Sequence, residues 1–242
     1  MRRLGSVAAV GAGLLVLALR PAPAPRSAVA GATVTGKVKF VGKAPANPAI
    51  DMTEEAKCKA KYTTTPHESV VEVNKNGTLA NVFVYVKAGL PADAKYPTPT
   101  TPVEIDQNAC MYHPRVFGIM VGQGLAIKNS DGILHNIKAM GKKNRPFNIS
   151  QPTTMTTNRS FTTVEVMLPF ECNVHGWMHA WAGVLPHPFF AATGADGSFS
   201  ITGLPAGTYT IEAIHEKYGT QTATVTVTGT GTKTADFTFT AK

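Results

Sequence analysis

The amino-acid sequence predicts an all-β protein, and three observations lead to that fold class. Thr, Val, Ile, Phe and Tyr alternate with polar residues along most of the 242 residues, which is the pattern of strands with one buried face. Gly, Pro and Asn separate these stretches, as they do in turns between short strands. Helix signals are sparse: residues 52–61 are predicted to form one or two turns, capped by Asp51 or Thr53.

Residues 1–30 have the composition of a secretory signal peptide. Arg2 and Arg3 precede an uncharged run at residues 4–19, and Ala28-Val29-Ala30 is a small-x-small cleavage signature. An uncleaved membrane anchor is the alternative, but a helix over that run would reach only about 24 Å, against a hydrocarbon core of roughly 30 Å. We favour cleavage. With either interpretation we expect a periplasmic or exported protein, anchored in the membrane if the segment is retained.

The first strand signals after this segment lie far apart in the chain. Residues 33–40 alternate well, and residues 80–86 form a dense apolar run typical of a strand covered on both faces. Residues 91–102 are rich in Pro, Thr and Ala and are predicted to be a linker into a further domain. The chain beyond the signal segment, about 212 residues, suffices for one large β domain or two small ones.

The stretch from Phe170 to Met178 carries the clearest chemical signal. Cys172, His175 and Met178 lie within seven residues, and His135 lies upstream after a strand-like stretch at residues 116–129. Two His, one Cys and a weak axial Met are the ligands of a trigonal copper site. The alternative is that each residue merely packs in a core or lies on the surface, but this would have to hold independently at four positions.

Other metal chemistries fit this stretch less well. A dinuclear purple-copper site needs two thiolates in the loop, and there is one. His175 and His179 are four residues apart, but the three residues between them include no Glu, so a zinc-protease helix is a poor interpretation.

This pattern resembles the type 1 copper motif of the cupredoxins, in which a lone His followed by Asn and an apolar residue precedes a Cys-x2-His-x2-Met loop. The short loop is most similar to that of amicyanin, and the resemblance covers residues 106–185. It implies a Greek-key β-sandwich with one type 1 copper, and Asn136 as the residue that ties the first-ligand strand to the Cys loop. Val174 departs from the pattern, because many relatives have Pro there. The implied ligands are His135, Cys172, His175 and Met178.

With Cys172 assigned to copper, Cys58 and Cys110 remain as a pair in an exported chain. We expect them to form a disulfide, distant from the metal, that closes a loop of about 50 residues and stabilises the fold by roughly 4 kcal/mol. The alternative is that Cys110 and His113 form half of a second metal site.

The C-terminal part has strand and turn signals at residues 193–201, 203–211, 218–228 and 233–239. Residues 190–240 resemble the carboxypeptidase regulatory-like module, a transthyretin-type, Ig-like β-sandwich. About four strands are too few for such a sandwich and would leave an open edge.

The missing strands are available at residues 33–40 and 80–86, which also resemble the opening strands of that module. We therefore predict a discontinuous domain, residues 31–100 with 188–242, and an inserted cupredoxin domain at residues 101–187. Val38, Val84, Phe199, Tyr209 and Phe237 should then share one core. The alternative is two consecutive domains.

The charge balance argues against nucleic-acid binding. The formal net charge is +8, but residues 1–30 contribute four basic and no acidic residues, which leaves 19 basic against 15 acidic residues, or +4. So mild an excess allows weak steering toward an acidic partner. The basic run at residues 142–145 is predicted to be a solvated loop, with a docking patch for an acidic redox partner as the alternative.

The function implied by the resemblance is periplasmic one-electron transfer, without enzymatic activity, to and from redox protein partners. Cys172 would couple strongly to copper, His175 would be the more exposed ligand through which electrons pass, and Met178 would tune the potential. The predicted apolar collar around the site consists of Trp177, Trp181, Leu185 and Pro186.

Two other functions remain open at the level of the sequence. One is a copper carrier. The other is an accessory or structural subunit of a membrane-bound respiratory or photosynthetic electron-transfer complex, in which the cupredoxin body is a scaffold.

Overall fold

The protein, analysed as a computed structural model, is described over residues 31–241. The predicted signal peptide or anchor, residues 1–30, lies outside the described residues. Within residues 31–241 there are seventeen β-strands and one four-residue helix, so the all-β prediction is confirmed. No helix in this range is long and apolar enough to cross a membrane. The elements are β1 Ala32–Val41, α1 Ala56–Lys59, β2 Phe83–Ala88, β3 Val103–Asn108, β4 Met111–His113, β5 Val116–Met120, β6 Gly124–Asn129, β7 His135–Ala139, β8 Phe147–Gln151, β9 Met155–Ser160, β10 Glu165–Glu171, β11 His179–Leu185, β12 Phe190–Ala192, β13 Ser198–Leu204, β14 Gly207–His215, β15 Gly219–Val227, β16 Thr232–Thr234 and β17 Phe237–Thr240.

One β-sandwich, here called the terminal sandwich, combines strands from both ends of the described chain. Its first sheet has the order β13-β1-β16, with β17 paired to the other half of β1, and its second has the order β12-β2-β14-β15. β1 alternates between buried and accessible residues along its length, because one of its faces covers the core. The residues expected to share a core all belong to one buried cluster, namely Val38, Val84, Phe199, Tyr209 and Phe237.

The second β-sandwich, here called the metal sandwich, is formed by β3 to β11. Its sheets have the orders β5-β11-β10-β7-β8 and β4-β3-β6-β9. β5 pairs in parallel with β11, and β3 pairs in parallel with β6, so the chain crosses between the sheets. Aliphatic and aromatic side chains of both sheets form its core, which includes Phe117, Ile127, Leu168 and Phe170.

The two sandwiches contact each other through β2 and β12 on one side and β5 and β11 on the other. Phe83, Tyr85, Val116 and Leu185 form a buried cluster there, with Trp181 packed against it. This explains why β2 is buried on both faces along its first four residues. Trp181 and Leu185 therefore do not belong to a collar around the metal, as the sequence predicted, because β11 carries them away from the ligand loop.

Two glycines allow this contact. A Cβ at Gly118 would lie 2.1 Å from the ring of Phe190, and a Cβ at Gly183 would lie 2.1 Å from the ring of Phe83. Since real Cβ atoms do not come that close to other atoms, glycine is required where the two aromatic rings lie on the sheet.

The connection between β1 and β2 contains an irregular segment, residues 48–68, here called the lid. Its ends are joined by hydrogen bonds from Ile50 N to Pro66 O and from Glu68 N to Pro48 O, so it is a loop whose two ends lie side by side. It contains α1, which is shorter than the predicted helix. Asp51 does not cap that helix, because its carboxylate accepts hydrogen bonds from the N–H and hydroxyl of Thr53 in a tight turn.

Candidate metal centre

Three adjacent strands of the metal sandwich place the predicted ligands. His135 is the first residue of β7, Cys172 directly follows β10, and Met178 directly precedes β11. β10 pairs with both β7 and β11, so the two ends of the ligand loop lie beside the His135 strand. Within the loop, Cys172 N donates to Met178 O (3.2 Å) and Met178 N donates to His175 O (3.0 Å). These bonds turn His175 back toward Cys172.

The structure brings His135, Cys172 and His175 together. The Nδ1 atoms of the two histidines are 2.9 Å apart, and Cys172 Sγ lies 3.8 Å from His175 Nδ1. One ligand atom from each of the three residues lies within 4.8 Å of the others. All three side chains are buried, and Met178 is buried in the same core cluster as Cys172.

The outer atoms of these ligands are held by hydrogen bonds. His135 Nε2 lies 2.8 Å from Asp131 Oδ2, and a carboxylate there fixes the tautomer that leaves Nδ1 free for a metal. Asn136 Oδ1 accepts the N–H of Asn173 (2.5 Å) and lies 3.4 Å from Cys172 Sγ. Asn136 therefore connects the strand of the first histidine to the cysteine loop.

The environment favours a charged Cys172. Burial opposes ionisation of its thiol, but the neighbouring imidazoles of His135 and His175 outweigh burial and lower its pKa to about 5. Burial likewise lowers the pKa of His175, but the neighbouring Cys172 and Glu55 outweigh it and raise that pKa. Because the thiolate is the form that binds metals, the pocket holds the cysteine in its ligating state.

The lid covers the centre, which corrects two expectations. His175 was expected to be the exposed ligand, but only 1% of it is accessible, because its Nε2 faces Glu55 (3.6 Å) and Cys58 (3.6 Å). The disulfide was expected to be distant from the metal. Cys58 and Cys110 are joined by a bond of 2.04 Å, and Cys58 Sγ is in contact with the second histidine ligand.

The turn between β3 and β4 attaches the lid to the centre. Its two central residues, Ala109 (φ 53°) and Cys110 (φ 54°), are in the left-handed region, where a two-residue hairpin normally has Asn or Gly. Each costs about 1–3 kcal/mol in such a conformation. The carboxylate of Asp131 accepts both of their N–H groups, at 2.8 and 2.7 Å, and Tyr62 of the lid donates to Ala109 O (2.5 Å).

Asp131 belongs to the candidate centre, and the sequence did not lead us to predict it. The same carboxylate contacts His135, both turn amides and Lys61 of the lid (2.8 Å). Burial raises its pKa, but the contacts with Lys61, Cys110, His135 and Ala109 together lower it. The sequence signal that could have identified Asp131 is its position four residues before His135, in an Asn-Ser-Asp-Gly turn.

Two other groups of potential ligands in residues 31–241 contain Cys58 or Cys110. Both sulfurs are in the disulfide and cannot act as thiolates in this state. The proposed half-site of Cys110 and His113 is excluded for the same reason. Among the described residues, the group of His135, Cys172 and His175 is thus the one that retains a free thiol.

A groove of about 460 Å³ runs beside the centre, between the lid, β4 and the ligand loop. It is here called the Trp177 groove. The half-buried Trp177 lies on it, with its ring centroid 5.2 Å from that of His175 and its indole N–H donating to Cys110 O (2.9 Å). Of the four residues predicted to form the collar, Trp177 is the one in contact with a ligand.

The basic run at residues 142–145 lies elsewhere. It follows the end of β7 opposite to His135, and the backbone N–H groups of Lys142, Lys143 and Asn144 bind the carboxylate of Glu165. The structure therefore gives this loop a local role and places it away from the metal centre.

Comparison with known protein families gives one match, to the C-terminal part of the chain. The family model of the carboxypeptidase regulatory-like domain matches residues 187–240, which confirms the resemblance predicted for the C-terminal part. No curated protein sequence is significantly similar to the chain.

Similar solved structures include a nitrite reductase, a purple cupredoxin and an amicyanin. A Cu-containing nitrite reductase from Thermus scotoductus is 19% identical at a TM-score of 0.33, with 40% of this chain and 25% of that chain covered. A purple cupredoxin from Nitrosopumilus maritimus is 22% identical at 0.29, with 34% and 97% covered. An oxidised proline-to-glycine mutant of amicyanin is 14% identical at 0.32, with 42% and 97% covered. The chain thus spans about a quarter of the nitrite reductase, and at these TM-scores the assignment of the metal centre rests on its own geometry.

Proposed function

We propose that this chain is a one-electron transfer protein in which His135, Cys172 and His175 would hold a single copper ion, with Met178 as a weak fourth ligand. The observation that carries the proposal is the convergence of two imidazole Nδ1 atoms and one buried thiol sulfur within 4.8 Å. Two imidazoles and a thiolate are the donor set of type 1 copper, and not the all-oxygen set of Mg²⁺ or Ca²⁺.

A copper ion bound there would supply a Cu(II)/Cu(I) couple, and the residues of the chain would keep its surroundings constant. Asp131 orients His135, Asn136 holds the start of the cysteine loop, and the N–H of His175 donates to Cys172 Sγ (3.3 Å). The lid excludes water from the outer side of His175. A rigid, dry site of this kind suits electron transfer, because little has to move when the charge changes.

We also propose that the chain is not an enzyme. A copper oxidase or nitrite reductase of the superfamily named above needs further histidines for a second copper centre. In residues 31–241, each group of converging metal-type ligands includes His135 or His175, so these groups describe one centre and its surroundings.

The proposed location is the periplasm or the exterior of the cell, with redox proteins as partners and retention of the N-terminal segment as a membrane anchor as the open alternative. The disulfide between Cys58 and Cys110 supports this location, because structural disulfides persist in oxidising compartments.

The experiment that separates this proposal from a copper carrier or an empty scaffold is a redox cycle followed by metal analysis. Copper-loaded protein is reduced with ascorbate, reoxidised, and passed through a desalting column together with a Cu(I) chelator. We expect full retention of one copper per chain over repeated cycles. Loss of the metal to the chelator after one reduction would indicate a carrier, and failure to load would indicate a scaffold.

A further inference from the structure

The buried position of His175 raises the question of where electrons leave the protein, if the proposed function holds. The lid lies against His175 Nε2 through Glu55 and Cys58. A partner cannot reach that imidazole directly. Because electron transfer weakens steeply with distance, the exit has to be an accessible group that contacts a ligand.

Trp177 has the required contacts on both sides. Its ring centroid lies 5.2 Å from that of His175, and it is two residues away along the chain. Its other side lies on the Trp177 groove, together with Met111, His113 and His179. The hydrogen bond to Cys110 O fixes the orientation of the indole, so the ring offers an aromatic bridge between the ligand and the solvent.

The rim of the groove carries negative charge. Glu68 and Glu72 both lie on it, and neither forms a salt bridge within residues 31–241. The guanidinium of Arg115, which also lines the groove, is already bound in a bidentate pair with Glu216, at 2.8 and 3.0 Å. Its charge is therefore neutralised, and the two carboxylates dominate the field that an approaching partner meets.

We propose that electrons enter and leave through Trp177, and that the partner is a redox protein with a basic surface that docks on the Trp177 groove. The complementary charges would steer the encounter and bring the partner's redox group over the indole. The lid would act as an insulator over His175.

The outer face of the lid is the competing exit and shows no comparable excess of one charge, because Asp51 and Glu54 are exposed on it as well. Lys57 and Lys59 are exposed there on α1. A route through the lid would give similar rates with reagents of either charge, whereas a route through the Trp177 groove favours a cationic one. The two routes can therefore be distinguished with small redox reagents of opposite charge.

The test uses the full copper-loaded protein and stopped-flow oxidation by tris(phenanthroline)cobalt, a cation, and by ferricyanide, an anion. Glu68→Lys with Glu72→Lys reverses the charge of the groove, and Lys57→Glu with Lys59→Glu is the matched control on the lid. We expect the groove variant to lose about tenfold or more of its rate with the cation at low salt, and the lid variant to retain the wild-type rate. Trp177→Leu should slow both reagents.

An unchanged rate in the groove variant, or a larger effect in the lid variant, would overturn the proposal. Because the four charged side chains are accessible and none is hydrogen-bonded to a proposed ligand, both charge variants should keep the visible copper spectrum. Failure of the proposed function would appear differently, since a protein that binds no copper has no spectrum to follow.

Discussion

At the scale of single residues, Asp131 connects more parts of the centre than any ligand does. One carboxylate contacts His135, the amides of a strained turn and Lys61 of the lid. A buried carboxylate with several donors is stabilised in its charged form. Asp131 therefore couples the orientation of a metal ligand to the closure of the lid.

Replacing Asp131 with Asn should lower copper affinity by about 10–100-fold, the usual effect of removing a partner from a histidine ligand. Competition with a chelator of known affinity measures it. Asp106→Asn is the matched control, because Asp106 accepts a hydrogen bond from Ser130 (2.9 Å), which directly follows the adjacent strand β6, and does not contact His135. Equal affinities for the two variants would contradict the role assigned to Asp131.

His215 illustrates a different residue-scale effect, far from the metal. It is buried in the terminal sandwich against Tyr218 and Phe239. Its Nδ1 accepts the N–H of Lys217 (3.1 Å), so a second proton on the ring would break that bond. Burial, the largest cause, lowers its pKa from 6.5 to about 4.

This lowered pKa predicts a pH dependence of folding stability. The folded state binds the proton less readily than the unfolded state, so stability is complete above about pH 6.5 and falls between about pH 6.5 and 4. The total loss from this group should be on the order of 3 kcal/mol. Chemical denaturation of wild type and His215→Gln across this range measures it. The variant should lose less stability than the wild type over this range. Parallel curves of unfolding free energy against pH would show that His215 does not contribute to the pH dependence.

At the scale of elements, the lid is the part that distinguishes this centre from an open copper site. It has almost no regular structure, and its position depends on the disulfide, the Lys61–Asp131 pair and the hydrogen bond of Tyr62. Ile50, Met52 and Cys58 of the lid form one buried cluster with Cys110.

Removing the disulfide should open the lid. In the metal-free double variant Cys58→Ala with Cys110→Ala, we expect Cys172 to react with iodoacetamide much faster than in the wild type, where it is 3% accessible. The loop closed by the disulfide spans 52 residues, so the free energy of unfolding should also fall by roughly 4 kcal/mol.

General destabilisation has to be separated from opening of the lid. Val84→Ala is the control, because it weakens the terminal sandwich by roughly 2–4 kcal/mol without touching the lid. If Cys172 becomes equally reactive in that variant, the increase reflects global unfolding, and the lid does not protect the centre.

The elements also show what the sequence could predict. β1, β14 and the ligand loop could be predicted because their signals are local. The alternation of apolar and polar residues in the strands and the Cys-x2-His-x2-Met spacing in the loop each lie within a few residues. The lid is not a local pattern. The lid covers His175 through contacts between residues more than 100 positions apart, such as Cys58 and His175. Contacts at that separation leave no periodic pattern in the sequence. The wrong position for Trp181 has the same origin, because the cluster that it packs against includes Phe83 and Tyr85, which are distant in sequence.

At the scale of the whole molecule, strands from both ends of the described chain share sheets. β1 pairs with β13, β16 and β17, and β2 pairs with β12 and β14. These pairings support our proposal that residues 31–100 and 188–242 form one discontinuous domain with residues 101–187 inserted. The lid belongs to the first segment by sequence but covers the inserted domain.

The discontinuous domain predicts that residues 188–242, expressed alone, remain unfolded, because β1 and β2 are missing from their sheets. Circular dichroism and a denaturant titration of the fragment provide the measurement. The full protein, which also contains residues 31–100 with β1 and β2, is the positive control. A compact fragment with a cooperative transition would favour two consecutive domains.

The central claim is a single copper ion bound by His135, Cys172, His175 and Met178, and an optical titration of the metal-free protein with Cu(II) tests it most directly. We predict an intense visible thiolate-to-copper charge-transfer band that saturates at one equivalent per chain, and its complete loss in Cys172→Ser, which removes the only free thiol among residues 31–241. A wild-type protein that stays colourless, or a band that persists in Cys172→Ser, would contradict the account.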